Sequence, residues 1–137
     1  MRKKAWASPG LASPGAGEES GAAGDVQDLA QMFAALSNQS RLRMVNLLIE
    51  KDLCVSDLAR ILCLSQSNVS QHLTILHNAG LVSAQRVGAF SLYRLSIPEP
   101  YQQLMHCLRQ SRENFPLLQA DLRELRQFTE EPEQAFC

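Results

Sequence analysis

The sequence predicts a mainly α-helical protein with one small β-hairpin. Apolar residues recur at three- and four-residue steps along most of 25–128, the period of helices with one buried face. One stretch, 81–95, alternates around Gly88 instead, the period of paired strands. With 137 residues, the chain has length for one domain with a modest core.

Residues 1–24 are rich in Gly, Ala, Ser and Pro, and the tetrapeptide ASPG occurs twice, at 7–10 and 12–15. Such a segment buries too little apolar surface to offset the entropy of ordering it, so a disordered tail is expected there. From Asp25, a natural N-cap, a first helix carries Val26, Leu29, Ala30, Phe33 and Leu36 as its expected inner face. After a break at 37–39, a second helix carries Leu42, Val45, Leu48 and Ile49, and 50–52 reads as a polar turn. A third helix over about 55–62 turns Leu58, Ala59 and Leu62 inward, with Ser56 or a neighbour as cap. A fourth begins after Ser65 and runs to about His77, with Val69, Leu73, Leu76 and also Ile75 as its apolar set. Gly80 suits a left-handed C-terminal cap.

Strands at 81–86 and 90–95 flank a turn at 87–89, with Tyr93 and Leu95 as hairpin core, and Pro98 and Pro100 end it. The helical pattern then resumes but must break at Pro116, which lacks an N–H and clashes with the preceding turn. Two helices are therefore expected, about 100–113 and 116–128. Two helices joined by the short turn 63–65 and followed by a hairpin make a winged helix-turn-helix. The expected organisation is a tail (1–24), a winged domain (25–113), and a C-terminal helix and tail (114–137).

Net charge is −1, but its distribution is uneven. Across 58–98 there is no Asp or Glu, while Arg60, Arg86, Arg94, His72 and His77 fall there. A carboxylate-free middle between acidic ends suits a surface that approaches phosphates. The helix at 65–77 crowds Ser65, Gln66, Ser67, Asn68, Ser70, Gln71 and His72 into its first two turns. A solvated helix face also carries such residues. Concentrated at the N-terminal end of a recognition helix, they match what base edges require, because amides bond adenine bidentately and hydroxyls adapt to either role. Arg86 and Arg94 flank the hairpin tip, where they would grip phosphate or the minor groove, and Arg41 lies at the start of the second helix. These ten residues are the candidate DNA contacts.

No apolar run approaches the roughly 18–20 residues of a membrane span, and the basic start at Arg2, Lys3 and Lys4 is not followed by an export-type apolar stretch. A cytoplasmic location is expected. No nucleophile–base pair, phosphate-cradling loop or paired carboxylates stand out, so no enzymatic activity is expected.

The segment SQSNVSQHLTILHNAGLV at 65–82 closely resembles the helix-turn-helix signature of the arsenic-repressor (ArsR/SmtB) family. ALSNQSRLR at 35–43 is similar to that family's lead-in to its second helix, and YRLS at 93–96 to the end of its wing. The resemblance covers about 25–110. It implies a homodimeric repressor on a palindromic DNA operator, paired through the first helix and the 100–113 helix and released by a metal or oxidant. The apolar residues Leu104, Met105 and Leu108 agree with such a partner face.

Arsenite-responsive members carry Cys-Val-Cys-Asp-Leu at the start of the third helix. This chain reads DLCVSDL at 52–58, so Cys54 matches the first ligand and Ser56 replaces the second. A hydroxyl is a poor substitute for thiolate toward a soft ion. Cys63 lies nine residues further, about half a turn away and about 13 Å along a helix, and flanking leucines suggest a buried filler. Cys107 and Cys137 are the remaining sulfur donors, so Cys54 with Cys107 or Cys137 is the candidate site for As(III) or another soft metal ion as inducer, with no cofactor otherwise required. A thiol-redox or reactive-sulfur response is the alternative. A winged-helix protein-interaction module without a DNA role is the alternative from a different class.

Overall fold

The computed structural model describes residues 24–130, and within them the fold is a winged helix-turn-helix extended by a C-terminal helix. The expected tail falls outside the described residues except for Gly24, and so does Cys137. Helix α1 (Val26–Leu36) leads into α2 (Gln39–Glu50), then α3 (Val55–Leu62) and α4 (Gln66–Asn78). Strands β2 (Val82–Val87) and β3 (Phe90–Leu95) form the wing, followed by α5 (Gln102–Ser111) and α6 (Pro116–Glu130). A two-residue strand, β1 (Leu53–Cys54), precedes α3 and pairs antiparallel with β3, Leu53 opposite Tyr93 and Cys54 opposite Leu92. The sheet therefore has three strands in the order β1-β3-β2, where the sequence suggested a hairpin alone. Two residues are too few to carry a readable alternation.

Local chemistry sets the helix ends. Asp25, Asn38 and Ser65 accept backbone N–H bonds at the starts of α1, α2 and α4. The cap of α3 is Cys54, not Ser56, and the Asp57 carboxylate reaches back to the Cys54 N–H at 3.4 Å. Gly80 (φ +82°) ends α4, with the Leu81 N–H donating to the Leu76 carbonyl at 2.9 Å. The α3–α4 turn also needs a left-handed residue, and Cys63 supplies it at φ 59°. That position points its thiol outward, so Cys63 is exposed rather than the buried filler its leucine neighbours suggested.

The core gathers Met44, Val45, Leu47 and Leu48 of α2 with Leu58 and Leu62 of α3, Val69, Leu73 and Leu76 of α4, and Leu122, Leu125 and Phe128 of α6. Ile75 faces solvent instead of joining them. Because α6 lies against α2 and α3, α2 is buried nearly all round. A polar seam fixes that contact: Arg43 holds the buried Asp121 through Nε and Nη2 at 2.8 and 2.9 Å, and Arg112 bonds Asn46 and pairs with Glu50. On α1 the inner residues are Met32 and Ala35, while Val26 (79% exposed) and Phe33 (51%) are turned out. The apolar stripe of α1 is wider than this protomer covers.

Candidate nucleic-acid interface

Three buried residues, Val69, Leu73 and Leu76, seat α4 on the domain. Their spacing fixes the opposite face by geometry alone. Ser67, Ser70, Gln71 and Thr74 are exposed there, with Gln66 at the first turn. Thr74 was not among the sequence candidates, although its spacing from Ser67, Ser70 and Gln71 places it on their face. Its hydroxyl donates to the Ser70 carbonyl at 3.0 Å. Ser65 is exposed, but its Oγ is engaged by the Asn68 N–H at 3.1 Å, and Asn68 itself is half-buried. Ser65 thus caps the helix start, and the exposed polar side chains that follow are Gln66, Ser67, Ser70 and Gln71, with Asn68 half-buried among them. The carboxylate nearest in sequence, Asp57, is buried, and burial pushes its carboxyl above the usual carboxylate range.

Arg41 and His72 form one unit. The Arg41 Nε donates to the Ala35 carbonyl at 2.6 Å, and its Nη1 donates to Nδ1 of His72 at 3.2 Å. The guanidinium ties the end of α1 and the start of α2 to the flank of α4. Since guanidinium only donates, Nδ1 of His72 must accept, which puts the imidazole proton on Nε2. Burial, and then the Arg41 charge, lower the His72 pKa and hold the ring neutral. Both residues thus orient the recognition helix rather than standing as free cations.

In the wing, Arg86 is exposed and in none of the salt bridges among the described residues. Arg94 differs: it pairs with Asp52 at 3.1 Å across the β1–β3 edge. Nothing in the local sequence signals that pairing, because it depends on β1.

The thiols are dispersed. Cys54 is buried (2% exposed) at the β1–α3 junction, with Ser56 Oγ 3.4 Å from its sulfur, and it is disulfide-bonded. Cys107 is a free thiol on the exposed side of α5. Among the described residues no group of three His, Cys, Asp or Glu side chains is placed to hold a metal ion. No described helix is long and apolar enough to cross a membrane.

Residues 38–84, from the start of α2 into the first strand of the wing, match the bacterial regulatory protein family described as arsR. A transcriptional repressor SmtB homolog of Synechocystis sp. is 42% identical over 71 residues, 52% of this chain and 54% of that protein. The chain thus spans about half the length of that relative. HlyU of Vibrio cholerae, described as a transcriptional activator, is 37% identical over 68 residues, 50% of this chain and 63% of that protein. A solved HlyU structure superposes with a TM-score of 0.57 at 30% identity, covering 63% of this chain and 94% of that one. The homodimeric winged helix-turn-helix DNA-binding domain of Mycobacterium bovis Mb0332, a possible ArsR-family regulator, superposes at 0.58 with 26% identity, covering 64% and 81%. With its helix-turn-helix, wing and exposed polar α4 face, the chain belongs to the ArsR family of bacterial transcription regulators, which are not enzymes.

Proposed function

We propose that this protein is a DNA-binding transcriptional repressor that acts as a homodimer in the cytoplasm and leaves its operator on thiol chemistry at Cys54. The observation that carries the DNA reading is the α4 face of Ser67, Ser70, Gln71 and Thr74, polar, exposed and backed by a rigid apolar seat. In a major groove, Gln71 and Gln66 would bond base edges while Ser67 and Ser70 adapt, and Arg86 would meet backbone phosphate. Repression follows as occupancy of a promoter.

The dimer reading rests on apolar surface that one protomer leaves open. Val26 and Phe33 of α1 are exposed, and α5 has no fully buried residue while Leu104, Met105 and Leu108 are half-covered. The two helices begin close together: the Tyr101 hydroxyl, just before α5, lies so near Gly24, just before α1, that a Cβ there would stand 1.9 Å away. To read a palindrome, the two α4 helices of a dimer formed there must meet successive major-groove faces, about 34–36 Å apart.

Cys54 stands where the wing meets the helix-turn-helix, its backbone paired with Leu92 of β3 and its side chain at the cap of α3. Added bulk or a bond change at so buried a sulfur must move one against the other. A soft ion such as As(III) could engage Cys54 only with its disulfide reduced, and would then need a second thiolate, for which Cys107 or Cys137 is the candidate donor. The disulfide at Cys54 favours a second reading, a redox response in which two thiols lose two protons and two electrons to a peroxide-class or polysulfide oxidant.

Footprinting on DNA upstream of the protein's own coding sequence, with transcription in vitro, tests the proposal. Protection of a palindromic segment and reduced transcript are expected, with release by arsenite, cadmium or peroxide that a Cys54→Ser variant no longer shows. Raised transcript would contradict repression, and release that persists in Cys54→Ser would exclude that thiol.

A further inference from the structure

The wing carries an apolar tip that neither the fold nor the polar contacts use. Val87 and Phe90 are the last pair of the β2–β3 ladder and lie 50% and 46% exposed. Gly88, in the left-handed region at φ +64°, lets the chain reverse in the two residues between them. Alternation puts Val87 and Phe90 on one face of the ribbon together with Gln85, Leu92, Ser83 and Arg94. Arg86 and Ser91 lie on the other face, the one that Val82, Tyr93 and Leu95 turn toward the core. Arg94, the cation on the apolar side, is already paired with Asp52. One side of the tip is thus suited to phosphate, through Arg86, while the other offers a ring and a branched aliphatic side chain with no free charge.

Resting on the DNA reading above, we propose that Phe90, supported by Val87, is a wedge that enters the minor groove beside the α4 contact and partly unstacks one base step. The wing that carries this tip follows α4 directly, through Gly80 and Leu81, whose N–H donates to the Leu76 carbonyl of α4. The minor groove is only about 6 Å wide, so an aromatic side chain enters it by opening the groove and kinking the duplex away. Pyrimidine–purine steps deform most readily, and the wedge therefore selects them at a position no polar side chain reads. Phe90 is a specificity-determining residue by shape rather than by hydrogen bonding.

The test uses the full chain and the footprinted duplex upstream of its own coding sequence. 2-Aminopurine is placed at each pyrimidine–purine step in turn, and end-to-end energy transfer reports bending. For the wild type, the expected result is brightening at one step per half-site and a bent duplex. Phe90→Ser is expected to abolish both and to weaken binding about tenfold, with an unchanged salt dependence because no charge is lost. Phe90→Leu keeps the wedge and is expected to restore most of the signal. Arg86→Gln is expected to do the reverse, lowering the salt slope by about one while leaving the unstacking in place. Wild-type bending and brightening that persist in Phe90→Ser would overturn the wedge while leaving the DNA reading intact. A Phe90→Ser protein that sediments as a monomer would overturn it by assigning the ring to a protein contact. If the wild type binds no upstream DNA, the repressor reading itself fails.

Discussion

Asp121 is a carboxylate almost without solvent (3% exposed), and it is tolerated because Arg43 clasps both of its oxygens. Removing one partner strands the other. Asp121→Ala is expected to cost about 3 kcal/mol in urea unfolding, the lower end for a buried pair because Arg43 keeps some water contact. Replacing both residues with apolar ones should recover part of that loss. His72 gives a second expectation. Its folded pKa lies below the ordinary 6.5, so between the two values the unfolded chain binds more protons. The contribution of this group is present above pH 6.5 and declines as pH falls through that window. NMR titration of the ring should show a depressed midpoint and the Nε2-protonated tautomer, and Arg41→Met should move the midpoint back up. Neither pairing was legible from the sequence. Arg41 read as a free cation because its partners lie six and thirty-one residues away. Cys63 read as buried because its neighbours are leucines, whereas backbone geometry at the turn decided its direction. Cys63→Ser should therefore change stability by no more than about 0.5 kcal/mol.

Helix existence and order were legible at the scale of elements, because 3.6-residue periodicity, caps and prolines all act locally. The position of Gly80 at the end of α4 is of this kind. No atom lies within 4 Å of a Cβ built there, so Gly80→Ala is expected to cost about 1–2 kcal/mol from the left-handed backbone alone. What depends on distant chain was not legible. Strand β1 exists because β3 presents an edge to it, and Asn46 is buried because α6 covers α2, where its amide donates to the Leu118 carbonyl at 3.3 Å. The inner face of α1 was displaced for a related reason. Its apolar residues outnumber those that one protomer buries, and periodicity does not say which of them face the core and which face a partner.

For the whole molecule, net charge is a poor guide and charge placement a good one. The carboxylate-free span across 58–98 takes in the end of α3 and then all of α4 and the wing, the two elements that a winged helix-turn-helix turns toward DNA. Arg41 and His72 bond each other and the exposed Arg94 pairs with Asp52, while Gln66, Ser67, Ser70, Gln71 and Arg86 are exposed, with Thr74 added by the fold. The claim that this face reads sequence is tested most directly by fluorescence anisotropy at fixed salt, comparing the upstream duplex with a scrambled one of the same length. A preference of about a thousandfold or more for the upstream duplex is expected, with a loss of about 1–3 kcal/mol of that preference in Gln71→Ala and scrambled-duplex binding unchanged. Equal, steeply salt-dependent binding to both duplexes, unaltered by Gln71→Ala, would contradict it.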